Sequence, residues 1–202
     1  MSKKILVYEV TGNYYKDMPK NVVMRTFVSI EISDENVINS IEKFQKEICI
    51  DAKAIESRNL HFTLQFLGEI SENILQKVKQ ALSTIEFSSF NVNFIGIGAF
   101  PKPKFPRVIW VGTDSNGGNL LIELSQKVNK VLEPLGLISD KAFKPHITVF
   151  RIKKKVGDMT KELEKQGMVD FGIQKISSIK LKKSELTPNG PIYSDLVEVM
   201  AT

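Results

Sequence analysis

Over residues 25–32 the sequence RTFVSIEI alternates polar and apolar side chains and is rich in β-branched ones, which predicts a strand. The period then changes. Ser33 suits a helix N-cap, Asp34 and Glu35 suit the positive end of a helix dipole, and Ile41, Phe44 and Ile48 recur at helical spacing over 34–49. Residues 61–67 predict a second strand, ended by Gly68. Ser71 caps a second helix with Ile74, Val78 and Leu82 on one face, and 90–99 predict a third strand. Pro101, Pro103 and Pro106 make a stiff turn. The order then repeats. A strand is predicted over 107–113, a helix over 117–134 carrying Leu121, Leu124, Val128 and Val131, and a strand over 146–152. A short helix over 158–166 and strands over 173–185 and 192–199 complete the chain.

Each half therefore runs strand, helix, strand, helix, strand. Arg25 lies 36 residues before His61, and Arg107 lies 39 before His146. That shared order and spacing suggests an internal duplication, with two sheet-plus-helix lobes around a common cleft. The lobes would span 24–100 and 101–202, the last strands being free to cross between them. Residues 1–23 look separate: 5–8 have the apolar character of a short strand, but Gly12-Asn13, Lys16-Asp17 and Pro19 break the pattern. They are treated as an extension of unknown role before a domain over 24–202.

Composition narrows the class. A chain of 202 residues with 42% apolar and 25% charged side chains has the makings of one packed globular domain, not a disordered segment. A net charge of +5 is compatible with an anionic ligand without requiring one. The single cysteine, Cys49, excludes an intrachain disulfide and a cysteine-built zinc site. Its neighbours Ile48 and Ile50 predict a small buried hydrophobe. No apolar run approaches the ~20 residues of a membrane span, and residues 1–10 are too short and too charged at Glu9 for a signal peptide. A cytoplasmic location is expected.

The chain has two histidines, and both stand in one local pattern: His61-Phe62-Thr63-Leu64 and His146-Ile147-Thr148-Val149. With nine threonines in 202 residues, finding one two places after each histidine by chance has odds of roughly 0.2%. In a strand, residues i and i+2 share a face. Each motif thus projects an imidazole beside a hydroxyl, with apolar neighbours on the other face. A pseudo-two-fold would set the two pairs facing one another across the cleft. Imidazole titrates near neutrality, so one ring can accept a proton while the other donates, and the hydroxyls can hold non-bridging phosphate oxygens. Two histidines without further ligands at suitable spacing argue against a metal site; Asp140 and Glu69 lie near the motifs but suggest no cage.

These stretches resemble the two-histidine phosphoesterase superfamily, and within it the RNA 2′,3′-cyclic phosphodiesterases, also called 2′-5′ RNA ligases. The resemblance rests on Met24-Arg-Thr-Phe-Val-Ser-Ile-Glu31, Asn59-Leu-His-Phe-Thr-Leu-Gln-Phe-Leu-Gly-Glu69, Arg107-Val-Ile-Trp-Val-Gly112, Lys144-Pro-His-Ile-Thr-Val-Phe-Arg151 and Leu186-Thr-Pro-Asn-Gly-Pro-Ile-Tyr193. It implies a bilobal α+β fold, two antiparallel sheets lining a central cleft with helices outside. It implies catalysis without metal or other cofactor on RNA ends bearing a 2′,3′-cyclic phosphate; tRNA fragments are candidate substrates, and a monomer is expected. By position, His61 would be the general acid and His146 the general base, with Thr63, Thr148 and Arg151 holding phosphate. The product would be a 2′-phosphate, and the reverse reaction with a 5′-hydroxyl end would make a 2′-5′ bond. Strict alternation puts Arg151 on the face opposite His146, so its role requires a bulge or a strand end.

Lysines 153–155 and Lys180, Lys182 and Lys183 are candidates for flanking the cleft and holding an RNA backbone. Phe27, Phe66, Phe150 and Tyr193 are candidates for stacking on a terminal base. Gly96-Ile97-Gly98 lacks the third glycine of a dinucleotide fingerprint, and neither a P-loop nor a Gly-x-Ser-x-Gly motif is present. Two other functions stay open: a phosphodiesterase on 2′-5′ linkages or small cyclic nucleotides, and an RNA-end-binding protein without turnover.

Overall fold

The computed structural model describes residues 5–6, 23–154, 156–188 and 190–202. Two five-stranded antiparallel sheets make up an α+β fold. One sheet contains β1 (Ile5–Leu6), β2 (Val23–Glu31), β4 (His61–Ser71), β9 (Ser178–Thr187) and β10 (Gly190–Met200), in the order β1-β10-β9-β2-β4. The other contains β3 (Lys53–Ala54), β5 (Phe90–Phe100), β6 (Val108–Thr113), β7 (Ile147–Arg151) and β8 (Asp170–Ile176), in the order β3-β7-β6-β5-β8. The helices are α1 (Glu35–Glu47), α2 (Glu72–Leu82), α3 (Ser115–Leu132) and the short α4 (Thr160–Lys165).

Each sheet takes strands from both halves of the chain. β5 leaves the first half to join β6, while β9 leaves the second half to pair with β2 and carries β10 on its other edge. Phe62 of β4 and Phe94 of β5 stack with ring centroids 5.7 Å apart, so the two sheets share one core. Gln174 of β8 also links them. Its amide oxygen accepts from the backbone N–H groups of Ser33 and Asp34 at 2.8 and 3.1 Å, and its amide nitrogen donates to Glu31 O at 2.9 Å. A buried glutamine with both ends bonded to backbone joins β8 to the loop leading into α1.

Several local expectations are corrected. Asp34, not Ser33, caps α1: the helix begins at Glu35, and the carboxylate just before it accepts from Asn36 N and Val37 N. On α2 the buried face carries Leu75, Val78 and Leu82, with Ile74 only partly covered. Gly68 does not end β4. At φ 71° it lets the strand bend and continue to Ser71. The stretch predicted as one strand over 173–185 is two, β8 and β9, lying in different sheets. An unbroken alternating pattern cannot reveal that the chain changes partners at Ser177. Cys49 is exposed. The chain leaves the helix at Ile48, which takes an extended conformation and buries its own side chain, so the next side chain points out. Of the N-terminal stretch, Ile5 and Leu6 pair with Val199 and Glu198, and the rest of that expectation falls outside the described residues.

Candidate active site

His61 begins β4, and His146 immediately precedes β7. Both rings make the same bond. Nδ1 of His61 lies 2.7 Å from Asn59 O, and Nδ1 of His146 lies 2.6 Å from Lys144 O, in each case the carbonyl two residues earlier. A carbonyl only accepts, so Nδ1 carries the proton and donates it. The tautomer is thereby set. Nε2 of each neutral ring is left as an acceptor, and of each charged ring as a donor.

Aromatic neighbours hold the two planes. Phe27 and Tyr193 lie 5.1 and 5.4 Å from the His61 ring, and Phe100 and Trp110 lie 4.9 and 6.4 Å from the His146 ring. Gly98 makes room for the second pair. A Cβ there would fall 2.1 Å from the Trp110 ring, so any larger residue would displace the indole that backs His146. The two glycines of Gly96-Ile97-Gly98 therefore do structural work, Gly96 through its φ of 77° at a break in the β5 register.

The bulge that Arg151 requires is present. Along β7 the register jumps from Trp110↔Thr148 to Ile109↔Phe150, leaving Val149 as the extra residue. One added residue reverses the alternation, so Arg151 joins His146 and Thr148 on the cleft side. The Val149 carbonyl accepts from Gln45 Nε2 and Ile55 N, both at 2.9 Å. In β4 the jump from Ser29↔Thr63 to Val28↔Gln65 leaves Leu64 as the extra residue, and its carbonyl accepts from Ser125 Oγ at 3.2 Å. A polar side chain from a helix thus satisfies each bulge, a role that Gln45 and Ser125 did not betray in the sequence. Their only signal was a polar residue on the inner side of an amphipathic helix.

His61, Thr63, His146, Thr148 and Arg151 all line one cavity of about 850 Å³. Lys53, Arg58, Lys141 and Lys153 lie around the same walls, so the cleft is strongly cationic. Burial pushes the His61 pKa down to about 4 and lowers that of His146, in both cases against the backbone bond at Nδ1 that favours the charged form. The Arg151 charge further lowers both. A single guanidinium within electrostatic reach of the two imidazoles marks where an anion would neutralise the site.

Other candidates separate. Lys180 and Lys182 do not stand as phosphate-binding cations: they close a ring with Glu31 and Asp195. Lys182 Nζ is 2.9 Å from Glu31 Oε1 and 2.5 Å from Asp195 Oδ1, and Lys180 Nζ is 2.5 Å from Glu31 Oε2 and 2.8 Å from Asp195 Oδ2. The pairing lowers both carboxyl pKa values and raises that of Lys180. Lys183 pairs with Glu185 at 2.6 Å. Phe27 and Phe150 are each 2% exposed and cannot stack on a ligand base, whereas Phe66, 65% exposed, and Tyr193 both line the cavity. Among the described residues no group of three or more His, Cys, Asp or Glu side chains is placed to hold a metal, and no helix is long and apolar enough to cross a membrane.

Residues 25–199 match the family model of the AKAP7 2′5′ RNA ligase-like domain. The chain is 39% identical over 175 residues to a protein of Archaeoglobus fulgidus named RNA 2′,3′-cyclic phosphodiesterase, covering 86% of this chain and 98% of that one. It is 37% identical over 182 residues to a protein of the same name from Methanocaldococcus jannaschii, covering 87% and 99%. The crystal structure of E. coli LigT in apo form shares the fold with a TM-score of 0.74 at 20% identity, over 90% of this chain and 99% of that one.

Proposed function

The chain belongs to the AKAP7 2′5′ RNA ligase-like domain family, and from that premise we propose that it is an RNA 2′,3′-cyclic phosphodiesterase, opening a terminal cyclic phosphate to a 2′-phosphate. One observation carries the reading. Two imidazoles line the same cationic cavity, and each has Nδ1 tied to a carbonyl, leaving Nε2 to exchange a proton with substrate. The relatives named for this activity at 39% and 37% identity support the substrate class.

In this reading His146 Nε2 takes a proton from water as the oxygen attacks phosphorus. The P–O3′ bond breaks on the far side, and His61 Nε2 supplies the proton that O3′ needs. The ribose is left with a 2′-phosphate and a 3′-hydroxyl. Thr63 and Thr148 donate to the non-bridging oxygens, and Arg151 offsets their charge. Burial makes the imidazolium of His61 a strong acid, which suits a donor to an alkoxide, but leaves that ring neutral in an empty site at neutral pH. A bound phosphate anion between the rings stabilises the charged form and recruits the proton. With a 5′-hydroxyl RNA end in place of water, the same ring-opening attack makes a 2′-5′ linkage and frees the 3′-hydroxyl. The same reading has the protein act as a monomer in the cytoplasm, with RNA ends such as tRNA fragments as substrates.

The test is a short RNA ending in 2′,3′-cyclic phosphate, incubated in EDTA and mapped at its end. A 2′-phosphate product with undiminished rate is expected. A 3′-phosphate product, or loss of the reaction in chelator, would overturn the mechanism.

A further inference from the structure

Beside the catalytic cleft, on the His61 flank, lies a second cavity of about 470 Å³, within the ~300–1,000 Å³ range of small-ligand sites. Arg58, Asn59, Ile192 and Tyr193 line both cavities, so the two open onto a common wall. The rest of the second lining is Glu31, Lys182 and Asp195, three members of the four-charge ring. That ring sums to zero. It offers carboxylate acceptors and ammonium donors in fixed positions without the net positive charge that would draw a phosphate. Ile192, 52% exposed, and the half-buried Tyr193 ring add apolar surface to the same lining. Flat apolar contact beside a neutral, hydrogen-bonding floor is the chemistry of a nucleobase site.

Arg58 is the cationic side chain that lines both cavities among the described residues. Its guanidinium pairs with Glu56 at 2.6 Å, but both side chains are mostly exposed, and such surface pairs are weak. A phosphodiester can compete for it, with the bidentate geometry that arginine favours.

We propose that the second cavity seats the penultimate nucleotide of the RNA, with Arg58 on the phosphodiester joining it to the terminal one. This rests on the function proposed above, and the assignment of His61 as donor sets the direction. The ribose whose O3′ departs must lie on the His61 side, and the chain continues upstream from the C5′ of that ribose. The cavity on that flank is the next space the strand meets. Recognition then extends beyond the cyclic phosphate to one further nucleotide.

The experiment compares kcat/KM for a nucleoside 2′,3′-cyclic monophosphate with that for a dinucleotide carrying the same cyclic end, in the wild type, Arg58→Ala and Ile192→Asp. The wild type should prefer the dinucleotide by about tenfold or more, the scale of one bound base and one phosphate contact. Arg58→Ala and Ile192→Asp should each shrink that ratio several-fold. Equal kcat/KM for the two substrates in the wild type, or a ratio that both variants leave intact, would overturn the subsite while the hydrolytic function stands. Hydrolysis of neither substrate would overturn the function and the subsite with it.

Discussion

Phe66 and Arg151 hold equivalent positions in the two halves of the chain: each is the fifth residue after its histidine, turned into the cleft by a bulge at the third. The backbone device is the same twice, and the side chains it delivers are opposite in kind. One half presents an exposed phenyl ring and the other a guanidinium. The His–Thr pairs are alike, so the different roles proposed for them have to come from such unlike neighbours.

Replacing either histidine should lower kcat by about 10²–10⁴-fold, the usual contribution of a positioned acid or base. His61→Ala and His146→Ala should keep far-UV circular dichroism and a cooperative thermal transition, since both rings are only partly buried. Steady-state kinetics on a cyclic-phosphate RNA checks this. A variant with full turnover would remove that residue from its role.

Both kinetic pH profiles should be bell-shaped, and their optima should differ. kcat/KM reports the empty site, where burial lowers the pKa of both imidazoles and holds His61 at about 4. kcat reports the complex, where a phosphate anion favours imidazolium and raises those pKa values. The kcat optimum should therefore lie at higher pH than that of kcat/KM. Coincident optima, or flat profiles over pH 5–9, would contradict the electrostatic argument.

Arg151→Gln should cost about 10²–10³-fold in kcat/KM, comparable with loss of one strong transition-state donor. Gln45 is outside the cleft lining, and Gln45→Leu removes a donor shared by the carbonyl of the Val149 bulge and that of the cleft-lining Ile55. It should lower kcat/KM in the same direction but less, because Ile55 N still bonds the Val149 carbonyl. If Gln45→Leu is kinetically silent, the helix does not position Arg151.

Lys182→Met should destabilise the fold by about 2–4 kcal/mol, measured by urea denaturation, since it leaves two carboxylates to share Lys180. It should also shift the kcat/KM profile to higher pH. The Lys182 charge lowers the His61 pKa and Glu31 raises it, so removing the ammonium takes away the lowering charge and leaves the raising one in place. A profile identical to that of the wild type would disconnect the ring from His61.

The elements themselves were legible because strand and helix periods are local: β2, α1, β4, α2, β5, β6, α3 and β7 fall close to their patterned stretches. So was the recurrence of His-x-Thr, which alternation alone puts on one face. What local pattern cannot carry is partner choice. One alternating run became β8 and β9 in different sheets, and the Lys180 and Lys182 side chains, legible only as basic, met Glu31 and Asp195 from other strands and lost their availability for phosphate. The bulges, the Gln45 and Ser125 bonds that support them and the aromatic walls of the two imidazoles arise from pairing and packing over long sequence distances. Chemistry-bearing residue types were written in the chain; which of them meet, and with what charge beside them, only the tertiary structure decided.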